Sequence, residues 1–289
     1  MRSPGVCEIT GKGVGNLSEY AYSSKWREVI SFPLGERLNK PRNKGLTMVI
    51  DKGMGIGETR DLLKINYQHI DFIKLGFGTP ALYAEGALEE KIQLVRSYNI
   101  DIYPGGTFLE VALLQNKVRE FLDTCNFFGF TAIEVSDGTI PLSQEVREET
   151  ITLAAEKGFR VLTEVGKKNN GAEIPVETLA RMALKDLQNG AYKVILEGRE
   201  CGLNVGLYDA NGKMADDDLQ VLLDYIGDPS LIIWEAPLKI QQQDLITRFG
   251  SDVNLGNIPP QEVLAVEALR VGLRADTLQL VLADLDEPK

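Results

Sequence analysis

The chain has 289 residues, 44% hydrophobic, 25% charged and 7% aromatic, which suits one large globular domain or two. Lys plus Arg number 31 against 42 Asp plus Glu, a net charge of −11 that argues against general binding to nucleic acid or anionic membrane. Cys7, Cys125 and Cys201 form no CxxC pair, so neither a disulfide framework nor a thiolate zinc site is expected, and the single histidine, His69, leaves acid–base chemistry to carboxylates and lysines.

Residues 1–44 are rich in Gly, Ser, Asn, Pro and basic residues and carry little periodicity. They read as an N-terminal arm with one short helix around Ser18–Val29. The arm lacks the apolar core of a secretory signal, and no apolar run in the chain approaches the roughly 18 residues of a membrane span. The expected location is cytoplasmic. Gly11-Lys12-Gly13-Val14-Gly15 resembles a phosphate loop only superficially, since no strand leads into it and the spacing is wrong.

From Leu46 onward, β-rich runs alternate with helix-length segments. The runs are Thr47–Ile50, Phe72–Lys74, Ile102–Tyr103, Ala132–Val135, Val161–Val165, Val194–Leu196, Leu231–Trp234 and Val253–Leu255. Helical periodicity marks Ala81–Tyr98, Ser143–Lys157, Val176–Asn189, Asp216–Ile226 and Pro260–Leu273. Gly129, Gly158 and Gly190 each stand where a helix ends before a strand, and Pro259-Pro260 suits a helix start. Strand–helix alternation implies parallel pairing through right-handed crossovers. We expect a single (β/α)8 barrel, a TIM barrel, over residues 45–289, preceded by the 1–44 arm. A doubly wound open sheet is the alternative; no GxGxxG follows the first strand to support it.

In such a barrel the C-terminal strand ends form the active face. The first strand ends in Asp51-Lys52-Gly53, the second in Lys74-Leu75-Gly76 and the third in Pro104-Gly105-Gly106-Thr107. The fourth carries Glu134 before Ser136-Asp137-Gly138, and the fifth Glu164 before Gly166-Lys167-Lys168. Glu197-Gly198-Arg199-Glu200, Glu235, and Asn254 with Asn257 complete the ring. One carboxylate near a loop is commonly a solvated surface group. Four inside apolar runs are costly unless cations meet them. Oxygen ligands without histidine or thiolate suit a hard cation such as Mg²⁺. Lys52, Lys74, Lys167, Lys168 and Arg199 invite a small polyanion, and the glycines at 53, 55, 57, 105 and 106 let backbone amides approach anionic oxygens. A lysine in such a setting can exchange protons near neutral pH.

Other features have plainer readings. Trp234 reads as packing, His69 as a solvated loop residue, Gln241-Gln242-Gln243 as a surface helix start from which one side chain could reach the active face, and Cys201 as a bystander. Asn211-Gly212 marks a turn in an excursion after the sixth strand, a candidate lid.

The strand ends, taken together, resemble the phosphosulfolactate synthase family. The matching stretches include Asp51-Lys52-Gly53, Asp71 to Thr79, Tyr103-Pro104-Gly105-Gly106-Thr107, Glu134 to Gly138 and Leu162 to Lys168. They continue through Glu197 to Glu200, Glu235-Ala236-Pro237, Val253 to Ile258 and Leu269 to Thr277, so the resemblance runs from about residue 46 to 278. It implies a Mg²⁺-dependent addition of sulfite to phosphoenolpyruvate, giving (2R)-O-phospho-3-sulfolactate. It also implies that Lys168 protonates the α-carbon, with Lys167 or Lys74 as alternatives. Mg²⁺ would lie among Glu134, Glu164 and Glu197, with Lys52, Arg199, Asn257 and the Gly105-Gly106 backbone holding phosphate and sulfite. The implied partners are small anions, with neither nucleic acid nor membrane, and the arm allows a homo-oligomer. Two rivals stand beside this reading: a Schiff-base aldolase using Lys74 or Lys168, and a non-catalytic barrel like the plant heat-stress proteins similar to the family.

Overall fold

Short runs of β-branched and aromatic residues bounded by Gly, Pro and Asn form eight parallel strands in this computed structural model, which describes residues 24–166, 174–198, 202–203, 208–209 and 211–286. The strands are β1 (Thr47–Asp51), β2 (Phe72–Leu75), β3 (Asp101–Pro104), β4 (Ala132–Val135), β5 (Arg160–Val165), β6 (Lys193–Leu196), β7 (Ile232–Glu235) and β8 (Leu255–Ile258). They pair in the order β3-β2-β1-β8-β7-β6-β5-β4. The remaining seam is bridged where Thr131 N donates to Ile102 O (3.1 Å) and Ile102 N to Thr131 Oγ1 (3.0 Å). The result is a nearly closed (β/α)8 barrel.

Helices surround it: α1 (Ser24–Val29), α2 (Ile56–Asn66), α3 (Ala87–Arg96), α4 (Gly106–Leu114), α5 (Val118–Phe128) and α6 (Gln144–Glu156). They continue as α7 (Val176–Gln188), α8 (Asp216–Ile226), α9 (Lys239–Phe249), α10 (Val263–Arg270) and α11 (Ala275–Asp286). Among the described residues no helix is long and apolar enough to cross a membrane.

Two-residue alternation decides which side chains fill the barrel. Met48, Phe72, Tyr103, Ala132, Leu162, Ile195 and Ile233 point inward and pack together with Leu46 as a closed layer. Their neighbours Val49, Ile73, Ile102, Ile133, Val161, Val194 and Ile232 face outward and join the larger core beneath the helices.

Local signals explain most boundaries. Ser143 caps α6 by accepting from Val146 N (3.3 Å), and Gly129, Gly158 and Gly190 take positive φ where α5, α6 and α7 end. The predicted helix from Ala81 begins only at Ala87, because Pro80 sits in a kinked 3-10 segment (Gly76–Leu82) and Gly86 adopts φ 79°. The predicted eighth strand is two residues early. Asn254 lies at the lower end of the barrel, where its side chain takes Leu46 N (3.0 Å) and donates to Ser230 O and Ile232 O. It belongs to the underside and not to the active face.

That underside is closed by the segment just before β1. Arg37, buried, donates to Glu267, Asp252, Ser251 O and Gly45 O at 2.7–3.0 Å. Arg42 grips Asp71 with two nitrogens, and Lys40 Nζ caps the end of α2 through Tyr67 O and Ile70 O. His69, read as solvated, is buried here with Nδ1 3.6 Å from Glu267. Its exposure was misjudged because the covering segment lies 30 residues earlier in the chain.

Candidate active site

At the upper end of the barrel the inward positions change character. Two residues beyond Ala132, Leu162, Ile195 and Ile233 stand Glu134, Glu164, Glu197 and Glu235, all buried. Lys74 occupies the equivalent place two residues beyond Phe72. With Ile50, Gly76, Phe77, Gly105, Gly106, Thr107 and Asn257 they line a cavity of about 230 Å³. Lys74 Nζ lies 2.9 Å from Glu134 Oε2, 3.2 Å from Glu235 Oε1 and 3.5 Å from Glu164 Oε2. Burial alone would lower its pKa. Glu134, Glu235 and Glu164 outweigh that effect and hold its pKa well above the ordinary lysine value. Tyr103, beneath them, is kept as the neutral phenol by burial and by the nearby Glu134 carboxylate.

Glu235 shows the opposite balance. Burial pushes its pKa up to about 7; Lys74 opposes this, while Glu164 and Glu134 reinforce it. Among the described lining residues, four carboxylates face one ammonium. Glu164, Glu197 and Glu235 each offer an oxygen within 4.8 Å of the others. A magnesium ion bound at about 2.0–2.1 Å sets its ligand oxygens about 3–4 Å apart, so small side-chain rotations would close this trio around one. The donor set, all carboxylate and fully buried, fits a hard divalent cation.

The model of the (2R)-phospho-3-sulfolactate synthase family matches residues 35–276. The phosphosulfolactate synthase of Methanothermobacter thermautotrophicus is 43% identical over 244 residues, 84% of this chain and 94% of that protein. The chain belongs to the phosphosulfolactate synthase family. The synthase of Methanocaldococcus jannaschii is likewise 43% identical, covering 84% and 97%, and that of Bacillus subtilis 38% identical, covering 86% and 98%. The family match begins at residue 35, about ten residues before the motif-bearing strands, and so takes in Arg37 and Arg42 of the underside. Among solved structures, 3-hexulose-6-phosphate synthase aligns with TM-score 0.50 at 16% identity over 78% of this chain and 98% of that one. The carboxyl transferase domain of Rhizobium etli pyruvate carboxylase gives 0.53 at 12%, over 84% and 47%. These two likenesses concern the barrel fold alone.

Of the residues singled out from sequence, the fold brings Lys74, Gly105, Gly106, Glu134, Glu164, Glu197 and Asn257 to one cavity, together with Glu235. Lys167, Lys168, Arg199 and Cys201 lie outside the described residues. Lys52 is exposed on an adjoining hollow of about 370 Å³ that shares Ile50 and Asn257 with the cavity. Glu134 stands apart from the carboxylate trio: its Oε1 accepts the Gly106 amide (2.7 Å) at the start of α4.

Four of the five glycine amides expected to cradle anions are already used. Gly105 N donates to Leu75 O and Gly106 N to Glu134, while Gly53 N and Gly55 N serve Asp51 and Glu58. What Gly106 supplies is space, since a Cβ there would stand 2.5 Å from Ser136 Oγ and 2.8 Å from Glu134 Oε1.

Several supporting residues escaped the sequence reading. Lys91, fully buried, bonds Asp51 Oδ2 (2.5 Å), Met54 O and Tyr83, and Asp51 in turn takes Gly53 N and Met54 N, fixing the loop that carries Lys52. Glu110 on α4 holds Ser136 and the Thr139 and Ile140 amides. Arg147 spans Asp186, Asp137 and the Glu164 carbonyl. Gln241 and Gln242, expected on the surface, are buried: one bonds Gly202 O and the Leu238 amide, the other Ala236 O beside Glu235.

Phe77 is the strained member of the set, at φ 58°, ψ 24°. A bulky residue in this region costs about 1–2 kcal/mol.

Proposed function

We propose that this synthase adds sulfite to phosphoenolpyruvate in a Mg²⁺-dependent reaction that gives (2R)-O-phospho-3-sulfolactate, a carbon–sulfur bond-forming lyase chemistry of the cytoplasm. The observation that carries the reading is the buried trio Glu164, Glu197 and Glu235 beside the fixed ammonium of Lys74. Among the described lining residues four carboxylates against one ammonium would repel two anionic substrates; a divalent cation offsets most of that excess and offers the substrate oxygens a positive centre.

The chemistry divides into two steps. The sulfur lone pair of sulfite forms a bond to the methylene carbon, and the double-bond pair moves into the substrate carboxylate. A proton then reaches the α-carbon from one face, which sets the stereochemistry. When bound, Mg²⁺ supplies electrostatic stabilisation for the charge gathering on that carboxylate. Glu134, itself bonded to Tyr103, holds Lys74 in place, and Lys74, kept protonated, serves as a preorganised positive charge. We assign proton delivery to Lys168, with Lys167 as the alternative, and phosphate and sulfite contacts to Lys52, Arg199 and Asn257.

The same electrostatics speak against a Schiff base on Lys74. That chemistry needs a neutral amine, and three carboxylates keep this one charged.

The direct test is an assay with phosphoenolpyruvate, sulfite and Mg²⁺, with and without chelator, followed by phosphorus NMR. Product that disappears on chelation is expected. No product from folded, metal-loaded protein would overturn the assignment.

A further inference from the structure

One corner of the cavity differs in chemistry from the rest. The cavity's charged and amide side chains are Glu134, Glu164, Glu197, Glu235, Lys74 and Asn257, whereas Ile50 of β1 and Phe77 just after β2 contribute its large apolar side chains. Ile50 Cδ1 lies 3.6 Å from where a Cβ on Gly76 would stand, so this corner is closely packed at its base. Phe77 continues it upward and remains 58% exposed at the mouth.

The backbone there is unusual. Phe77 at φ 58°, ψ 24° and Gly78 at φ 69°, ψ 15° have the angles of a type I′ turn, whose central positions favour Gly, Asn and Asp. Among the described residues, the other non-glycine positions at positive φ, 99, 116 and 257, are all asparagine. A phenyl ring is therefore held where the backbone disfavours it and where burial compensates little. Strain of this kind persists at ligand clamps.

The proposed substrate has one apolar end. Phosphoenolpyruvate presents oxygens at its carboxylate and phosphate, and carbon only at its methylene. Its carboxylate belongs with the cation side, Glu164, Glu197 and Glu235, of which the strand order sets β5 and β6 across the barrel from β1 and β2 and β7 two strands from β1. The methylene then faces the carbon corner. We infer that Ile50 and Phe77 seat this methylene carbon and that Phe77 is a specificity-determining residue for the enol end of the substrate. The inference rests on the function proposed above. Its consequence is that the ring shields the carbon attacked by sulfite from water at the open mouth.

The test compares the parent chain with Phe77→Gly and Phe77→Asn, two residues at ease at positive φ. Both variants should keep or raise the thermal midpoint. The KM for phosphoenolpyruvate should rise about tenfold or more, while the inhibition constant of phosphoglycolate, which has no counterpart of the terminal C3 carbon, moves by less than about twofold. Phe77→Leu, which keeps an apolar side chain, should recover part of the loss. Failure of the parent to turn over overturns the function and this inference with it. Turnover by the parent with unchanged KM in both variants overturns the inference alone. So does equal weakening of both ligands, or activity that falls only in step with the thermal midpoint.

Discussion

Lys74 Nζ stands 2.9 Å from Glu134 Oε2, and the other oxygen of that carboxylate takes the Gly106 amide at 2.7 Å, so one glutamate joins the centre of the site to the first turn of α4. The ammonium is thus fixed from below and from the side before any substrate arrives. Such preorganisation is what stabilising a developing negative charge requires.

Removing the ammonium should therefore cost both fold and function. Lys74→Met leaves Glu134, Glu164 and Glu235 without their shared cation in a buried site. Breaking a buried ion pair from one side typically costs about 3–5 kcal/mol. Urea unfolding should show a loss of that order, and phosphorus NMR should show no product. A variant as stable as the parent would mean that the carboxylates take up protons at no cost and that the cluster is less tightly coupled than its distances imply.

Gly106→Ala tests the side support by geometry. The added methyl would meet Ser136 Oγ and Glu134 Oε1 well inside contact distance. Overpacking of this kind costs about 1–3 kcal/mol, and a shift of roughly 1 Å in Glu134 should lower kcat by about a hundredfold. Steady-state kinetics at a temperature where the variant is folded would separate the two effects; an unchanged kcat would remove Glu134 from the catalytic arrangement.

The placement of the four glutamates was legible because period two is strict. Once Ala132, Leu162, Ile195 and Ile233 are recognised as barrel interior, each glutamate two residues on must point the same way at the upper end. Asn254 and Asn257 were harder, since Gly256 and a positive φ at Asn257 interrupt the β-rich run that would have fixed the frame of β8. Lys91, Glu110 and Arg147 were not legible at all. Each is an ordinary polar residue on a helix, and only its burial against partners 26 to 40 residues away marks it. The glycine-rich strand ends misled in a different way: their amides are satisfied by neighbouring carboxylates and carbonyls, which sequence does not reveal.

The underside should govern stability without touching chemistry. Arg37 uses all its nitrogens to tie the segment before β1 to Glu267, Asp252 and two carbonyls. Arg37→Ala leaves Glu267 buried beside His69 without this partner, so a loss of about 3–5 kcal/mol is expected in denaturant unfolding. The kcat of the folded fraction should match the parent. A fall in kcat at full folding would show that the underside is coupled to the active face.

The pH response connects the metal to the fold. In metal-free protein Glu235 has its pKa pushed up to about 7, chiefly by burial. The folded state then holds this proton more tightly than the unfolded chain, whose carboxyl titrates near 4.5. Its stabilising effect is complete below about pH 4.5, declines as pH rises to about 7, and is gone above. At about 1.4 kcal/mol per pH unit the loss is on the order of 3 kcal/mol. A divalent cation takes the place of the proton, so its stabilising effect should grow from pH 5 to 8, over roughly the same window. Thermal midpoints measured across that range, in chelator and in saturating Mg²⁺, should diverge with rising pH. Glu235→Gln, with no proton to lose, should give a flatter profile in chelator and gain less from Mg²⁺. Parallel profiles for parent and variant in chelator would assign the titration to another member of the cluster and take Glu235 out of the cation site.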